Sequence, residues 1–163
     1  MKKLFVLGII LLGIVISVDF IDNRHNMNAE AAESSLKKDV PNNTNCACCN
    51  MVVYQKKDKM GVFSAQAINK KGKVLYYDDI GCLLYDEVKN KTKNKKYVRD
   101  YKTLKWVQAE KATYVKTSLA SPMDDGYIYF EKAADAKNYT AKNSGTKIVP
   151  YKTVRKESIQ KYK

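Results

Sequence analysis

The sequence predicts an α+β fold in which two related strand-strand-helix-strand units pack as one small domain. Two observations lead to this prediction. Strand-like segments on both sides of a turn at residues 69–72 are followed by helical spacing of apolar residues over 80–90. A similar order of strand, helix and strand follows over residues 127–149. No sequence repeat accompanies this order, so the relation between the units is one of topology alone.

The first unit begins with a β-hairpin. Residues 63–68 alternate large and small side chains, and residues 74–77 form the return strand. Between them, residues 69–72 read Asn-Lys-Lys-Gly, which is a turn signal. Residues 51–54 are a further short β-prone run.

The helix of the first unit is predicted over residues 80–90. Asp78 or Asp79 offers a side-chain oxygen for its N-cap. Residues 89–96, rich in Lys and Asn, end the helix and are expected to form a solvated loop. Further short strands are expected at residues 97–98, 104–107 and 113–116.

The second unit is expected to contain a strand at residues 127–130, an Ala-rich helix at 132–143 and a strand at 146–149. Gly145 lies where a helix commonly ends in the left-handed conformation. Residues 151–162 are predicted to form a C-terminal helix.

The composition fits one small domain with a basic surface. The chain has 163 residues, of which 45% are apolar, and a formal net charge of +13. The lysines are spread along the chain, and no nucleic-acid-binding signature accompanies them. We therefore expect no nucleic-acid partner, although a basic exported protein can associate with an anionic cell wall or lipid face.

The N-terminal segment is typical of an export signal. Two lysines, Lys2 and Lys3, precede an uncharged apolar run over residues 4–18, which is short for a bilayer crossing. Residues 1–32 are thus predicted to be a signal peptide or an N-terminal membrane anchor. Residues 33–45 are polar and predict a disordered tether, and residues 46–163 predict the folded domain. The domain is expected to lie outside the cytoplasmic membrane, either secreted or associated with the membrane through its N-terminus.

Three of the four cysteines fall within four positions, as Cys46, Cys48 and Cys49, and the fourth is Cys82. Four kinds of chemistry use such a pattern. Structural disulfides suit an exported protein, although clustered cysteines cross-link a domain poorly. A zinc site usually contains a second closely spaced pair, which Cys82 does not provide. The Cys46-x-x-Cys49 spacing also fits thiol-disulfide exchange, although here a tether and a strand flank it.

Binding of Cu(I) is the fourth kind of chemistry, and methionine favours it. Thioethers are good Cu(I) ligands and poor zinc ligands. Met51 lies two residues after Cys49, and Met123 lies in a bend at residues 121–126. The single histidine, His25, lies in the N-terminal segment, which argues against a histidine-based redox copper centre or catalytic site in the domain.

These residues, taken in order, resemble the NosL family of copper chaperones, which are accessory proteins of nitrous-oxide reductase maturation. The resemblance rests on five segments: Cys46-x-x-Cys49-x-Met51, the Tyr-Asp-Asp-Ile-Gly-Cys-Leu run at residues 77–83, Trp106-Val107, Ser121-Pro122-Met123, and the strand and Ala-rich helix from Tyr127. It extends from about Cys46 to about Val149.

The resemblance implies two related halves and a Cu(I) carrier rather than an enzyme. By motif match, Cys46, Cys49, Met51 and Met123 are the implied ligands, with Cys48 and Cys82 held in reserve. The implied partner is a copper-accepting extracytoplasmic enzyme such as nitrous-oxide reductase. The chain departs from the family in three ways. Asn50 replaces a usual glycine, no lipid-bearing cysteine follows the apolar run, and the domain lacks the histidine suspected as a ligand in the family.

Overall fold

The structure is a computed structural model that describes residues 38–162. These residues form seven strands and three helices. The predicted signal or anchor over residues 1–32 lies outside these residues. The strands are β1 (Ala65–Ile68), β2 (Val74–Tyr77), β3 (Lys95–Arg99), β4 (Trp106–Gln108), β5 (Thr113–Lys116), β6 (Tyr127–Phe130) and β7 (Lys147–Val149). The helices are α1 (Ile80–Lys89), α2 (Ala133–Lys142) and α3 (Tyr151–Lys161). Among residues 38–162, no helix combines the length and apolarity needed to cross a membrane.

Two antiparallel sheets have the same strand order in each half. The first sheet has the order β2-β1-β3-β4, and the second has the order β6-β5-β7. In both, the first strand of the half lies between the second and the third, and the helix precedes the third strand. The predicted α+β fold with two strand-strand-helix-strand units is therefore confirmed. Strand β4 and helix α3 are additions to the shared unit.

The first strand begins two residues later than predicted. Phe63 belongs to a 3-10 turn, Gly61–Phe63, and strand β1 starts at Ala65. The turn depends on Gly61, where a Cβ would lie 1.8 Å from the carbonyl oxygen of Gln55. It turns Phe63 into the smaller hydrophobic cluster, against Val115 and other residues of the second half.

The junction between β2 and α1 differs from the sequence prediction. Asp79 occupies the N-cap position of α1, but its side chain makes no capping hydrogen bond. Both carboxylate oxygens of Asp79 are buried without a hydrogen-bond partner within the described residues. The prediction that Asp78 or Asp79 caps this helix is wrong, because the fold directs both side chains into the interior, where burial raises the pKa of Asp79.

The folded unit begins at Asp39, inside the segment predicted to be a tether. Val40 is 1% exposed and belongs to the larger hydrophobic cluster, which contains residues of both halves. Asp39 forms an ion pair with the buried Arg99, whose guanidinium stacks 3.9 Å above the ring of Trp106. The end of the predicted tether is thus held by apolar burial and by a charge partner, neither of which its polar composition indicates.

We expect Asp39→Asn to destabilise the unit by about 2–3 kcal/mol. The buried guanidinium of Arg99 would lose its carboxylate partner, and unpairing a fully buried pair costs about 3–5 kcal/mol. A smaller value is expected because the Asp39 side chain is 40% exposed. Urea denaturation would measure the change. The control is Lys102→Gln, which breaks an exposed ion pair with Asp135 and should leave the midpoint unchanged. Equal effects of the two substitutions would contradict the prediction.

Candidate metal site

Residues 46–51, here called the thiol loop, form a tight chain reversal. Its base is an isolated antiparallel β-bridge between Asn45 and Val52. Among the described residues, this is the only β-bridge that the predicted β-prone run 51–54 forms. The backbone N–H of Cys46 donates to the carbonyl of Met51 at 2.7 Å. The N–H of Asn50 donates to the carbonyl of Cys46 at 3.0 Å.

Asn50 takes the left-handed backbone conformation, with φ of 64°. Glycine adopts this region without strain, and asparagine is one of the few other residues that visit it routinely. The Asn45 side chain also donates to the Asn50 side-chain oxygen at 3.2 Å. Asparagine at position 50 therefore allows a backbone shape that glycine would also allow.

The thiol loop packs against the junction of β2 and α1. The N–H of Ala47 donates to the carbonyl of Tyr76 at 2.9 Å, and Cys49 Sγ donates to Asp78 Oδ2 at 3.2 Å. Cys82 lies in the first turn of α1 and faces the same point. One ligand atom from each of four residues, Cys46, Cys49, Asp78 and Cys82, lies within 4.8 Å of the other three.

Burial is graded across this group. Cys46 and Cys82 are buried in the larger hydrophobic cluster, whereas Cys49 is half-buried at the edge. Cys48 is also half-buried, but it is not one of the four converging residues. All four cysteines have free thiols. The site therefore has an enclosed side and an accessible side.

The two predicted thioether ligands lie in different surroundings. The Met51 side chain is 48% exposed at the end of the thiol loop. Met123 is half-buried in the bend 121–126 and packs against the hydrophobic cluster that contains Cys46 and Cys82. Their metal-binding roles, like those of Cys46 and Cys49, stay predictions.

Hydrogen bonds within the group separate the pKa values of the thiols. A hydrogen bond with Cys82 lowers the pKa of Cys46 to about 7, and the same contact raises the pKa of Cys82 above its usual value. Burial raises the pKa of Cys49 to about 12, and its hydrogen bond to Asp78 acts in the same direction. One thiolate is thus available near neutral pH, and it is on the enclosed side.

Sequence reasoning missed Asp78 as a member of the group and gave Cys82 only a reserve place. Asp78 was assigned to a helix cap because aspartate before a helical pattern commonly has that role. The available signal was the spacing of four residues from Asp78 to Cys82, across a strand end and a helix start. Cys82 also does not stand apart from the other cysteines, as the expectation against zinc assumed, because the fold brings it to the other thiols.

This group suits a soft metal ion. Three sulfur atoms satisfy Cu(I), which thiolates select over harder ions. Three thiolates with one carboxylate also match the ligand number of tetrahedral zinc. The chemistry of the donor atoms therefore fits a thiophilic ion and is compatible with both Cu(I) and zinc.

The fold and the thiol group together define a two-unit α+β protein with a sulfur-rich candidate metal site. The family model for NosL matches residues 37–159, and the chain belongs to the NosL family. This confirms the resemblance inferred from the motifs.

A crystal structure of the copper chaperone NosL from Shewanella denitrificans has a similar fold. Its TM-score is 0.53 at 17% sequence identity, and the match covers 71% of this chain and 92% of that chain. No curated protein sequence matches this chain significantly.

In the metal-free chain, we expect one thiol to ionise near pH 7 and the others well above it. Cys46 is the expected thiolate, because the Cys82 thiol donates to it. The ultraviolet absorbance of thiolates, followed against pH, measures this. Cys82→Ala should move the low transition upward by removing the donor, whereas Cys48→Ala should leave it near pH 7. A low transition that survives Cys46→Ser would contradict the assignment.

We expect Asn50→Gly to be tolerated. Asn50→Val should destabilise the unit by about 1–2 kcal/mol more than Asn50→Gly does, because a left-handed backbone costs an ordinary residue about that much. Asn50→Val should also raise the midpoint of the low thiol transition, because a displaced loop would weaken the contact between Cys46 and Cys82. Denaturation and thiolate absorbance measure the two effects. Equal stability of the two variants would show that the loop does not require the left-handed conformation.

Proposed function

We propose that this protein is an exported carrier of Cu(I), which it holds as cargo and passes to an extracytoplasmic copper enzyme. The observation that carries the proposal is the convergence of three free thiols at one partly open point. Membership of the NosL family and the fold shared with a protein described as a copper chaperone support copper over other thiophilic ions.

Cys46, Cys49 and Cys82 are the proposed thiolate ligands. Cys46 and Cys82 would hold the ion from the enclosed side, and Cys49 would close the accessible side. Asp78 acts through Cys49 as a positioning residue, because its carboxylate fixes the orientation of that sulfur. Met51 and Met123 are proposed as thioether ligands that complete the sulfur set from two other segments. Cys48, a reserve candidate in the sequence, is not one of the converging residues and is not a proposed ligand.

Release is proposed to take place through Cys49. An incoming sulfur atom of the client would bind the ion at the accessible side before a ligand of this chain leaves. The pKa of about 12 means that the freed Cys49 takes up a proton at neutral pH. A proton therefore competes with Cu(I) for this sulfur, which favours transfer over recapture.

The proposed client and location are supported by the sequence and by the family. Nitrous-oxide reductase is the proposed client, as the family implies, and the enzyme that accepts copper would lie outside the cytoplasmic membrane. The apolar run over residues 4–18 supports export, with the N-terminus either removed or retained as an anchor. We propose a carrier and not an enzyme.

Two alternatives have observations in their favour. Zinc is favoured by the convergence of three thiols and one carboxylate. Thiol-disulfide exchange is favoured by the low pKa of Cys46. Cys82 is as suitable a disulfide partner for Cys46 as the predicted Cys49, because both belong to the converging group. Each alternative gives a distinct result in a metal titration.

Anaerobic Cu(I) titration of the full chain against a competing chelator tests the proposal. We expect tight binding that weakens by about 100-fold or more in Cys46→Ser, Cys49→Ser and Cys82→Ser, and by about 10–100-fold in Asp78→Asn, which keeps the side-chain shape but removes the charge. Cys48→Ser is the matched control. The pair Met51→Leu and Met123→Leu tests the thioethers, with Met60→Leu as its control.

Three outcomes would overturn parts of the proposal. Zinc binding that Cu(I) fails to displace would favour a zinc site. Thiol-disulfide exchange would be favoured if no metal binds and if two thiols are reversibly lost on treatment with an oxidised dithiol protein. Unchanged Cu(I) affinity in the double methionine variant would remove Met51 and Met123 from the ligand set.

A further inference from the structure

Two adjoining clefts with volumes of about 560 and 460 Å³ lie on a strongly basic part of the surface. They share Lys91 and Lys93 from the loop after α1, and the larger cleft adds Lys70 and Lys71 from the β1–β2 turn. We call these four exposed lysines the basic end. Residues 1–37 contain four basic and four acidic side chains, so the whole net charge of +13 lies downstream, in the part that carries the basic end.

Within residues 38–162, no carboxylate forms an ion pair with the basic end. The larger cleft has no acidic residue in its lining. The smaller cleft contains Glu87, but this carboxylate is bound to Lys96 at 2.9 Å. None of the four lysines forms a salt bridge within residues 38–162. The clefts therefore present concentrated positive charge to solvent.

Backbone groups at the basic end are largely engaged. In the β1–β2 turn, the side chain of Asn69 accepts from the N–H groups of Lys71 and Lys73, at 2.9 and 3.0 Å. In the other loop, Glu87 accepts from the N–H groups of Thr92 and Asn94, at 3.0 and 3.1 Å. A site for one defined anion commonly uses free backbone N–H groups. The basic end instead offers ammonium groups on long side chains, which suits a surface of many mobile negative charges.

The topology separates the basic end from the thiol group. Strand β2 runs from the turn that bears Lys70 and Lys71 to the junction that bears Asp78. Helix α1, which is ten residues or about 15 Å long, has Cys82 in its first turn and runs back to the loop that bears Lys91 and Lys93. The two features therefore lie at opposite ends of the same strand and helix.

We propose that the basic end docks the folded unit on an anionic phospholipid surface, with the thiol group directed away from it. Clusters of four or more lysines are attracted to anionic lipid headgroups. A lipid surface is favoured over a soluble polyanion because the predicted export segment brings the unit to a membrane. Docking would leave the accessible side of the thiol group free for a client, but it involves no copper ligand.

Amine labelling of the full, copper-free chain tests this proposal. The chain is mixed with vesicles of phosphatidylcholine alone, or with about one third phosphatidylglycerol, at low salt and at roughly 1 M salt. Mass spectrometry measures the labelling of each lysine. We expect the four lysines of the basic end to be labelled about fivefold or more slowly on anionic vesicles at low salt only. Four lysines elsewhere on the surface, Lys56, Lys57, Lys59 and Lys142, are internal controls.

A charge-matched pair of variants completes the test. Changing the four lysines of the basic end to Gln should abolish the protection of the neighbouring Lys73, whereas changing the four control lysines to Gln should not. An unchanged low thiol transition verifies the fold of both variants. Equal labelling on neutral and anionic vesicles would overturn the proposal. Equal protection by soluble polyphosphate would show a polyanion site and would also overturn the lipid assignment. Neither result depends on whether the chain binds copper.

Discussion

The contact between the thiol loop and the β2–α1 junction is the constraint on which the candidate site depends. A backbone hydrogen bond from Ala47 to Tyr76 aligns the loop with the end of β2. The side chain of Asp78, just beyond that strand, then reaches Cys49, and Cys82 in the first helical turn reaches Cys46. The loop reverses direction through the left-handed Asn50, between Cys49 and the bridge at its base.

The second half of the fold supports this junction from behind. Gly81 has no room for a side chain, because a Cβ would lie 1.8 Å from Asp125 Oδ2. Asp125 is in turn held by Lys161 at 3.1 Å and by Tyr162 at 3.1 Å, at the end of α3. The Asp-Ile-Gly motif at residues 79–81 thus has a packing reason, which is that it lets the two halves approach closely at the start of α1.

The grading of burial across the thiols suits the proposed holding and release of an ion. A fully buried site would bind an ion but expose no ligand to an acceptor, and a fully exposed one would lose it to solvent thiols. Here the thiols of Cys46 and Cys82 lie close together in the interior, and Cys49 lies at the edge with a raised pKa. The basic end lies at the other end of β2 and α1, so the proposed docking and the proposed ion transfer would use different surfaces.

The sequence by itself determined the fold class, most of the elements and the family. Alternation and helical spacing are local patterns. They therefore predicted, to within one or two residues, the bounds of the three helices and of strands β2, β5 and β6. The ordered motifs were sufficient to identify the family, because they can be recognised in the sequence without knowing which residues are in contact. Only the tertiary structure decided that Asp78 faces Cys49, that Cys82 joins the thiol loop and that the unit begins at Asp39. Each of these depends on contacts between residues from 17 to 60 positions apart, which alternation and helical spacing do not reveal.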